Sequence, residues 1–234
     1  MTDPIEAIAF YAVFVFSVTL HEASHAWAAK LGGDLTAYHG GQVSLDPIPH
    51  MKREPFGMVI LPILSVAISG WPFGYASAPY DLRWAERHPK RAAWMALAGP
   101  GANLALAAVA AVVVRIGVGA GVFEAPMSIH FKQVTAAAGD ATGLAAGCAL
   151  LVSILFSMNL LLFVLNMIPL PPLDGSGALP LILPEDWVAT YQQLVRQPMV
   201  GLIGIIVVWN LIGDLFMPCL FFAIDLLYPG VRYG

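Results

Sequence analysis

The hydrophobic positions of this chain form long, nearly continuous runs separated by short polar stretches, and the length of each run predicts whether it crosses a membrane. The first run extends from about Ile5 to Lys30, and two later ones are Ala92–Val118 and Gly143–Ile168. Each can form a helix that spans the hydrocarbon core of a bilayer, which needs about 20 residues. A last run, from Met199 to about Tyr228, is interrupted by an aspartate and a proline. It predicts either one kinked helix or a span followed by a short return.

One apolar run is too short to cross a bilayer. Phe56–Trp71 holds about 16 residues, among them two glycines and a proline. Basic residues flank it on both sides, and basic residues next to membrane segments favour the cytoplasmic side. We therefore predict a re-entrant segment, which enters and leaves the membrane at the same face. The flanking residues are Lys52 and Arg53 before the run and Arg83, Arg87, Lys90 and Arg91 after it.

The polar stretch after the first run predicts a different element. Between Gly32 and Pro49, turn residues alternate with short β-prone pieces, which is typical of a hairpin. We predict a small β-hairpin packed against the first helix. Its exposed edge could hold an extended peptide through main-chain hydrogen bonds, and a plain connecting hairpin fits the same pattern. The predicted fold class is an all-α polytopic membrane protein with about five to six membrane segments, one of them re-entrant, plus this hairpin.

The composition supports this fold class and argues against several others. Hydrophobic residues make up 59% of the 234 residues and charged residues only 11%, with a mean hydropathy of +0.75, whereas soluble domains carry about 25% charged residues. We predict a single membrane-embedded domain over residues 1–234, which crosses the cell membrane several times. The net charge of −4 argues against nucleic acid as a partner. The two cysteines, Cys148 and Cys219, are too few for a disulfide framework.

The candidate chemistry lies inside the first apolar run. His21 and His25 are four positions apart and Glu22 follows the first of them, which is the His-Glu-x-x-His pattern. On a helix both imidazoles stand on one face, where they can bind one Zn²⁺ with the glutamate beside the open coordination position. The alternative is a pair of buried histidines hydrogen-bonded to the backbone. Three polar groups in an apolar helix are costly, which favours the metal site.

A catalytic zinc ion usually takes a third protein ligand. Asp174 is the best candidate because it follows the Gly143–Ile168 span and is preceded by prolines, which stop the helix. Asp34, Asp46 and Glu54 are weaker candidates. For Asp174 to reach the two histidines, its span and the first span must run parallel, and one intervening span gives that arrangement. A second full crossing at the short run would place the ligands at opposite faces, so the zinc geometry also favours the re-entrant segment.

Three motifs resemble, in order and spacing, the signatures of the site-2 protease family of intramembrane zinc metalloproteases. They are His21–His25, Ala98–Asn103 and Asn166–Gly175, and the resemblance covers roughly residues 8–180. Gly41–Pro47 and Phe73–Ala76 also resemble a bacterial branch of the family without PDZ or CBS domains. That branch often carries Gly-Trp-Ala-Lys-Pro, whereas this chain has no lysine between Gly74 and Pro79.

The resemblance implies roles for residues in these motifs. His21, His25 and Asp174 are the implied zinc ligands, and Glu22 is the implied catalytic base. Asn166 matches a residue that holds the substrate or supports the reacting carbonyl. Asn103 is a second candidate for such support, and an interhelical hydrogen bond is the alternative for it.

The leading hypothesis is an intramembrane zinc metalloendopeptidase that hydrolyses peptide bonds within transmembrane segments of membrane-protein substrates. Its partners would be those segments and the lipid bilayer, its cofactor one catalytic Zn²⁺, and its source bacterial. Its active site would lie within the bilayer, nearer the cytoplasmic side. The alternative is a membrane zinc carrier, or another metal-site protein that uses the same ligands without hydrolysis. A carrier would place polar residues along a path through several spans, whereas the polar residues here cluster at one depth.

Overall fold

The computed structural model describes residues 3–139, 141–231 and 233, and most of them are helical. The helices are α1 (Pro4–Gly32), α2 (Thr36–His39), α3 (Pro47–Arg53), α4 (Leu61–Ser69), α5 (Leu82–Arg87), α6 (Pro89–Gly119), α7 (Leu144–Asn166), α8 (Asp174–Ala178), α9 (Glu185–Val195) and α10 (Pro198–Leu227). A π-helical turn at Phe56–Ile60 leads into α4, and a 3₁₀ turn lies at Leu179–Leu181. A small antiparallel sheet pairs β1 (Phe123–Glu124) with β2 (Ala136–Ala137).

Four of these helices, α1, α6, α7 and α10, are long and apolar enough to cross a membrane. They coincide with the four long apolar runs of the sequence, and the last run forms one helix with an internal proline. Asp3 caps the N-terminus of the first helix, where its carboxylate accepts a hydrogen bond from the Ile5 N–H at 2.9 Å, and Gly33, with a φ of +97°, caps its C-terminus. These bounds place His21 and His25 in the second half of α1.

Helices α1, α6 and α7 form the centre of the molecule, each in contact with the other two. α1 and α7 run in the same direction. Glu6, near the start of α1, pairs with Lys132 before α7, whereas His25 lies beside Asp174, which follows α7. α6 runs the opposite way. This is the parallel arrangement that the predicted metal site requires.

α10 packs on the outside of α6 and α7 through one apolar stripe. Phe216, Leu220 and Ile224 are four residues apart, so they lie on one helix face. They are buried against Val114 of α6 and Phe156 of α7. Most of the remaining surface of α10 is exposed, as expected of a helix that faces lipid.

The short apolar run folds back on itself. It consists of the π-helical turn of 5 residues and the 9 residues of α4, about 21 Å at 1.5 Å per residue, which is less than the hydrocarbon thickness. The chain then returns through residues 72–80, which have no regular secondary structure and which we call the return segment, and the Tyr75 N–H donates to Gly57 O at 3.1 Å. At its end, Ser77 Oγ donates to Glu54 at 2.6 Å. The run therefore begins and ends at the same end of the molecule, which is the geometry of a re-entrant segment.

Two glycines allow the return segment to pass so close to the π-helical turn. A Cβ atom on Gly57 would lie 2.2 Å from Tyr75 O, and one on Gly74 would lie 2.5 Å from Gly57 O. Neither position tolerates a side chain while the backbones stay in contact. The glycine of the Phe73–Ala76 motif is thus explained by the packing of the re-entrant segment.

The hairpin predicted between Gly32 and Pro49 is wrong in its position. In that range the chain forms α2 and the start of α3 instead of strands. Asp34 accepts a hydrogen bond from the Thr36 N–H, and Asp46 accepts one from the Ile48 N–H, each at 2.9 Å. These contacts satisfy N–H groups at the first turn of each helix and outweigh the weak β propensity of the segment. The small antiparallel sheet lies in the loop between α6 and α7.

Candidate active site

His21, His25 and Asp174 meet in the interior of the molecule. The two Nε2 atoms are 2.9 Å apart, and Asp174 Oδ2 lies 3.0 Å from Nε2 of His21 and 3.3 Å from Nε2 of His25. Both imidazoles are buried and come from successive turns of α1, while the aspartate is the first residue of α8. Within the described residues, this trio is the group of His, Cys, Asp and Glu side chains that could hold a metal ion. The structure thus brings together all three predicted ligands.

The hydrogen bonds behind the histidines show that the site fits a metal. Nδ1 of His21 lies 2.6 Å from Asn103 Oδ1, and Nδ1 of His25 lies 2.7 Å from Met95 O. A carbonyl oxygen can only accept, so each Nδ1 carries the hydrogen and each Nε2 keeps its lone pair. This second contact is typical of metal-binding histidines.

Three acceptor atoms therefore converge on one small volume. Two imidazole lone pairs and a carboxylate oxygen repel one another at these distances unless a cation lies between them. Asp174 Oδ2 is moreover a buried oxygen without a hydrogen-bonding partner among the described residues. Two nitrogen ligands and one oxygen ligand suit Zn²⁺, whose tetrahedral ligands stand about 3.3 Å apart. The donor set thus fits the metal that the sequence predicts.

Gly99 of α6 provides the space for the imidazoles. A Cβ atom at this position would lie 2.3 Å from Nε2 of His25 and 2.6 Å from Nε2 of His21. Real side chains do not approach so closely, so any larger residue would push the ligands out of place. Within the motif Ala98–Asn103, one residue makes room for the histidines and another, Asn103, binds His21 from behind.

A cavity of about 340 Å³ lies next to the ligands, and Glu22 lines it together with His25 and Asp174. Glu22 is buried, with 5% of its surface exposed. Besides α1, the walls of the cavity include the return segment, the start of α6, the residues before α8, and α9. Residues from these segments include Ala76, Tyr80, Met95, Pro172 and Tyr191. The predicted base and two of the three predicted ligands therefore share one accessible space.

The two asparagines predicted to support the substrate or the reacting carbonyl lie elsewhere. Asn103 is completely buried. Its Oδ1 is hydrogen-bonded to His21, and its Nδ2 donates to Asn159. It therefore has the interhelical hydrogen bonds that were the alternative, and it does not contact the cavity. Asn166 is the last residue of α7, and its Nδ2 donates to Leu162 O at 3.0 Å. It is half-buried and not among the described cavity residues, so its role stays a prediction.

Other residues of the site were not predicted from the sequence. Met95 contributes only its backbone carbonyl oxygen, which every residue type has, so the sequence does not indicate this role. Asn159 is a polar residue within an apolar run, which is a usable signal, but its partners depend on how three helices are rotated. Gly99 belongs to a motif of small residues that is typical of close helix packing, and only the coordinates show that it faces the imidazoles.

The fold and the site define a class: a membrane protein of several apolar helices with a His-His-Asp cluster that could hold a metal ion, next to a glutamate-lined cavity. The chain belongs to peptidase family M50, whose family model matches residues 9–208. This confirms the predicted site-2 protease family.

The curated relatives carry names that describe the same class. "Putative zinc metalloprotease YwhC" of Bacillus subtilis is 32% identical over 162 residues, which are 69% of this chain and 63% of the relative. "Putative zinc metalloprotease Rip2" of Mycobacterium tuberculosis is 31% identical over 191 residues, 78% of this chain and 63% of the relative. The Rip2 protein of Mycolicibacterium smegmatis is 27% identical over 184 residues, 76% of this chain and 61% of the relative. The chain thus spans about three-fifths of the length of these relatives. No solved structure matches it significantly.

Proposed function

We propose that this protein is an intramembrane zinc metalloendopeptidase that hydrolyses peptide bonds within transmembrane segments of other membrane proteins. The observation that carries the proposal is the convergence of His21, His25 and Asp174 beside Glu22, between helices that are long enough to cross a bilayer. When bound, the zinc ion supplies Lewis acidity for a peptide carbonyl and for water.

The side chains of the site have two different roles in this proposal, metal binding and proton transfer. His21, His25 and Asp174 hold the ion, and the hydrogen bonds at each Nδ1 keep both imidazoles in the binding orientation. Glu22 follows His21 on α1 and lines the cavity that Asp174 also lines. Its carboxylate takes a proton from the attacking water and returns it to the amine that leaves.

The return segment holds the substrate in this proposal. A helical amide is covered and hydrogen-bonded, so a substrate helix must unwind before it can be cut. In the return segment, the N–H of Tyr75 and the carbonyl of Ser77 bind the scaffold. In an extended chain the backbone groups of successive residues point to opposite sides. We propose that the return segment is extended when substrate binds, so that the backbone groups of Ala76 and Ala78, which line the cavity, pair with the unwound peptide. The return segment thus takes the role first considered for a hairpin between Gly32 and Pro49.

The charges of the molecule support a site nearer the cytoplasmic face of the cell membrane. Eight lysines and arginines lie in the segments at the end of the bundle where the cavity opens: Lys30, Lys52, Arg53, Arg83, Arg87, Lys90, Arg91 and Arg196. At the opposite end, the described residues include Arg115 and Lys132. Basic residues favour the cytoplasmic side, so water would reach the site from the cytoplasm. The named relatives are bacterial, which supports a bacterial cell membrane.

Proteolysis by the purified protein tests the proposal. A reporter protein with a single transmembrane helix, containing a glycine-proline step, serves as substrate in zinc-supplied proteoliposomes. The parent protein should cut the reporter within that helix. Glu22→Gln should retain zinc and lose cleavage, and Asp174→Ala should lose both. Glu124→Gln is a control, because Glu124 lies in the sheet at the far end, and it should cleave like the parent.

The same preparation separates the enzyme from the metal carrier. Cleavage by Glu22→Gln at the parental rate would remove Glu22 from the mechanism. Zinc-dependent cleavage that is absent from every preparation, together with zinc flux across the proteoliposome membrane, would replace the peptidase with the carrier.

A further inference from the structure

A chain of buried polar side chains leads from His21 across the three central helices. Asn103 Oδ1 lies 2.6 Å from His21 Nδ1, and Asn103 Nδ2 donates to Asn159 Oδ1 at 2.8 Å. Asn159 Nδ2 in turn donates to Ser17 Oγ at 2.8 Å. Ser17, Asn103 and Asn159 are each 0% exposed. We refer to these three residues, which belong to α1, α6 and α7, as the relay.

One backbone carbonyl fixes the direction of every hydrogen bond in the relay. Nδ2 of Asn159 also donates to Leu155 O, one turn earlier on α7, at 2.8 Å. A main-chain carbonyl can only accept, so the nitrogen of the Asn159 amide must face Leu155 and its oxygen must face Asn103. Asn103 must then present its nitrogen to Asn159 and its oxygen to His21. An oxygen at that position accepts from Nδ1, which leaves the lone pair on Nε2.

His21 needs this constraint more than His25 does. The acceptor behind His25 is the carbonyl of Met95, which is part of the α6 backbone and cannot turn. The acceptor behind His21 is a side-chain amide, whose oxygen and nitrogen can exchange places with little change in shape. If the Asn103 amide turned over, its N–H would face Nδ1. The Nε2 atom would then carry the hydrogen and point it at the other ligands.

We propose that Asn159, acting through Asn103, is a positioning residue that holds His21 as the Nδ1–H tautomer and so keeps its Nε2 lone pair available to the metal. Neither asparagine touches substrate or metal in this arrangement. The effect on metal binding requires only the site itself, whereas the effect on catalysis rests on the function proposed above. Ser17 supports the relay from its far end, but Leu155 O alone suffices to set the direction.

Metal affinity is the direct test, and α7 offers a matched control. Asn159→Leu keeps the approximate volume of the side chain and removes its polar atoms. Ser157→Ala removes another completely buried polar group of α7, one without a hydrogen-bonding partner among the described residues. The dissociation constant for Zn²⁺ is measured by competition with a chelator in detergent. Asn159→Leu should bind zinc about 10-fold or more weakly, as is typical for residues that orient metal ligands. Ser157→Ala should bind like the parent, and Ser17→Ala should lie between them.

A double-mutant cycle tests whether Asn159 acts through Asn103. If it does, adding Asn159→Leu to Asn103→Leu should not weaken zinc binding further, because the link to His21 is already lost. On the cleavable reporter, Asn159→Leu should lower the cleavage rate at limiting zinc, saturating zinc should restore it, and KM should stay unchanged. The melting temperature of the metal-free protein, with Asn159→Ala as a second variant, reports whether folding alone is affected.

The outcomes separate this inference from the proposed function. Parental zinc affinity in Asn159→Leu and Asn159→Ala would overturn the inference, and so would fully additive losses in the double mutant. A lower melting temperature with unchanged zinc affinity would make the relay merely structural and would overturn it too. Since zinc binding is measured without substrate, a protein that binds zinc as expected but cuts no reporter would refute the proposed function alone.

Discussion

The central unit of α1, α6 and α7 and the outer helix α10 are all long and apolar enough for a membrane, yet they are held in different ways. Hydrogen bonds between buried side chains link the three central helices at the depth of the site. α10 contacts its neighbours mainly through apolar side chains. In the most apolar stretch of 18 residues, 50% of α7 is buried, compared with 17% of α10. Directional bonds fix the rotation and register of helices more strictly than apolar contact does. The two histidines of the site therefore lie in the unit whose helices are linked by buried hydrogen bonds.

The attachment of α10 also differs along its length. Its buried residues concentrate in the second half, at Phe216, Leu220, Ile224 and Leu227. That end is also tied by the Arg115 guanidinium, which donates to Leu227 O. The first half lies at the cavity end and is buried only at isolated positions. We therefore expect displacement of this half of α10 to cost less free energy than displacement of its second half.

The largest effect is expected from filling the space next to the histidines. Gly99→Ala places a Cβ about 2.3 Å from His25 Nε2, so an imidazole must move. We expect zinc affinity and activity to fall by about 100-fold. Gly101→Ala is the matched control on the same helix, because its Cβ meets nothing within 4 Å. Metal content and cleavage are measured for both variants, and equal behaviour of the two would show that the close approach at Gly99 does not matter.

A glycine-to-alanine change in α10 should lower the stability of the protein and leave the metal site intact. A Cβ on Gly204 would lie 1.7 Å from Pro171 O, whereas one on Gly201 would meet nothing within 4 Å. Gly204→Ala should push the first half of α10 outward and lower the free energy of unfolding by about 1–3 kcal/mol. Gly201→Ala should change it little. Thermal unfolding and zinc content are the measurements, and loss of zinc in Gly204→Ala would mean that α10 shapes the metal site after all.

The Asp34 carboxylate, which links the end of α1 to the segment before α5, is expected to make a pH-dependent contribution to the free energy of unfolding. Burial alone would raise the pKa of Asp34, but hydrogen bonds from Thr36 and from the Asp81 N–H hold that pKa below its ordinary value. The stabilisation is therefore present above the unfolded pKa of about 3.9 and is lost as the pH falls through the lowered folded pKa. Asp34→Asn should cost about 1.5 kcal/mol at pH 7. The difference from the parent should shrink below about pH 4, and a difference independent of pH would contradict this account.

The smallest effect is expected from the ion pair that joins α9 to α6. Lys90 Nζ lies 3.0 Å from Glu185 Oε1, and both side chains are largely exposed. Water and salt screen such a pair, so Glu185→Gln should change the free energy of unfolding by less than about 1 kcal/mol. Thermal unfolding at low and high salt checks this, and a large, salt-independent loss would show that α9 is held more tightly than its exposure indicates.

The sequence predicted the metal trio because its signal is local and topological. His21 and His25 follow from helical periodicity, and Asp174 follows from its position after a predicted span, behind prolines that stop the helix. The hairpin prediction was wrong because turn and β propensities do not include the hydrogen bonds that the Asp34 and Asp46 side chains accept from N–H groups at the first turns of α2 and α3. The contacts of Asn103 with His21 and Asn159 depend on the mutual rotation of three helices, which single-sequence periodicity does not determine. Every residue type has a backbone carbonyl, so the contact between Met95 O and His25 cannot be predicted from the sequence.

The re-entrant segment has a consequence for the two ends of the described chain. Because that segment returns to the side it came from, the four long helices alternate in direction, and both the start of α1 and the end of α10 lie opposite the mouth of the cavity. With the cavity facing the cytoplasm, as proposed above, fluorescent or affinity tags fused beyond either end would sit together in the non-cytoplasmic compartment. They would leave the mouth of the cavity unobstructed, and a protease added outside intact cells should remove both.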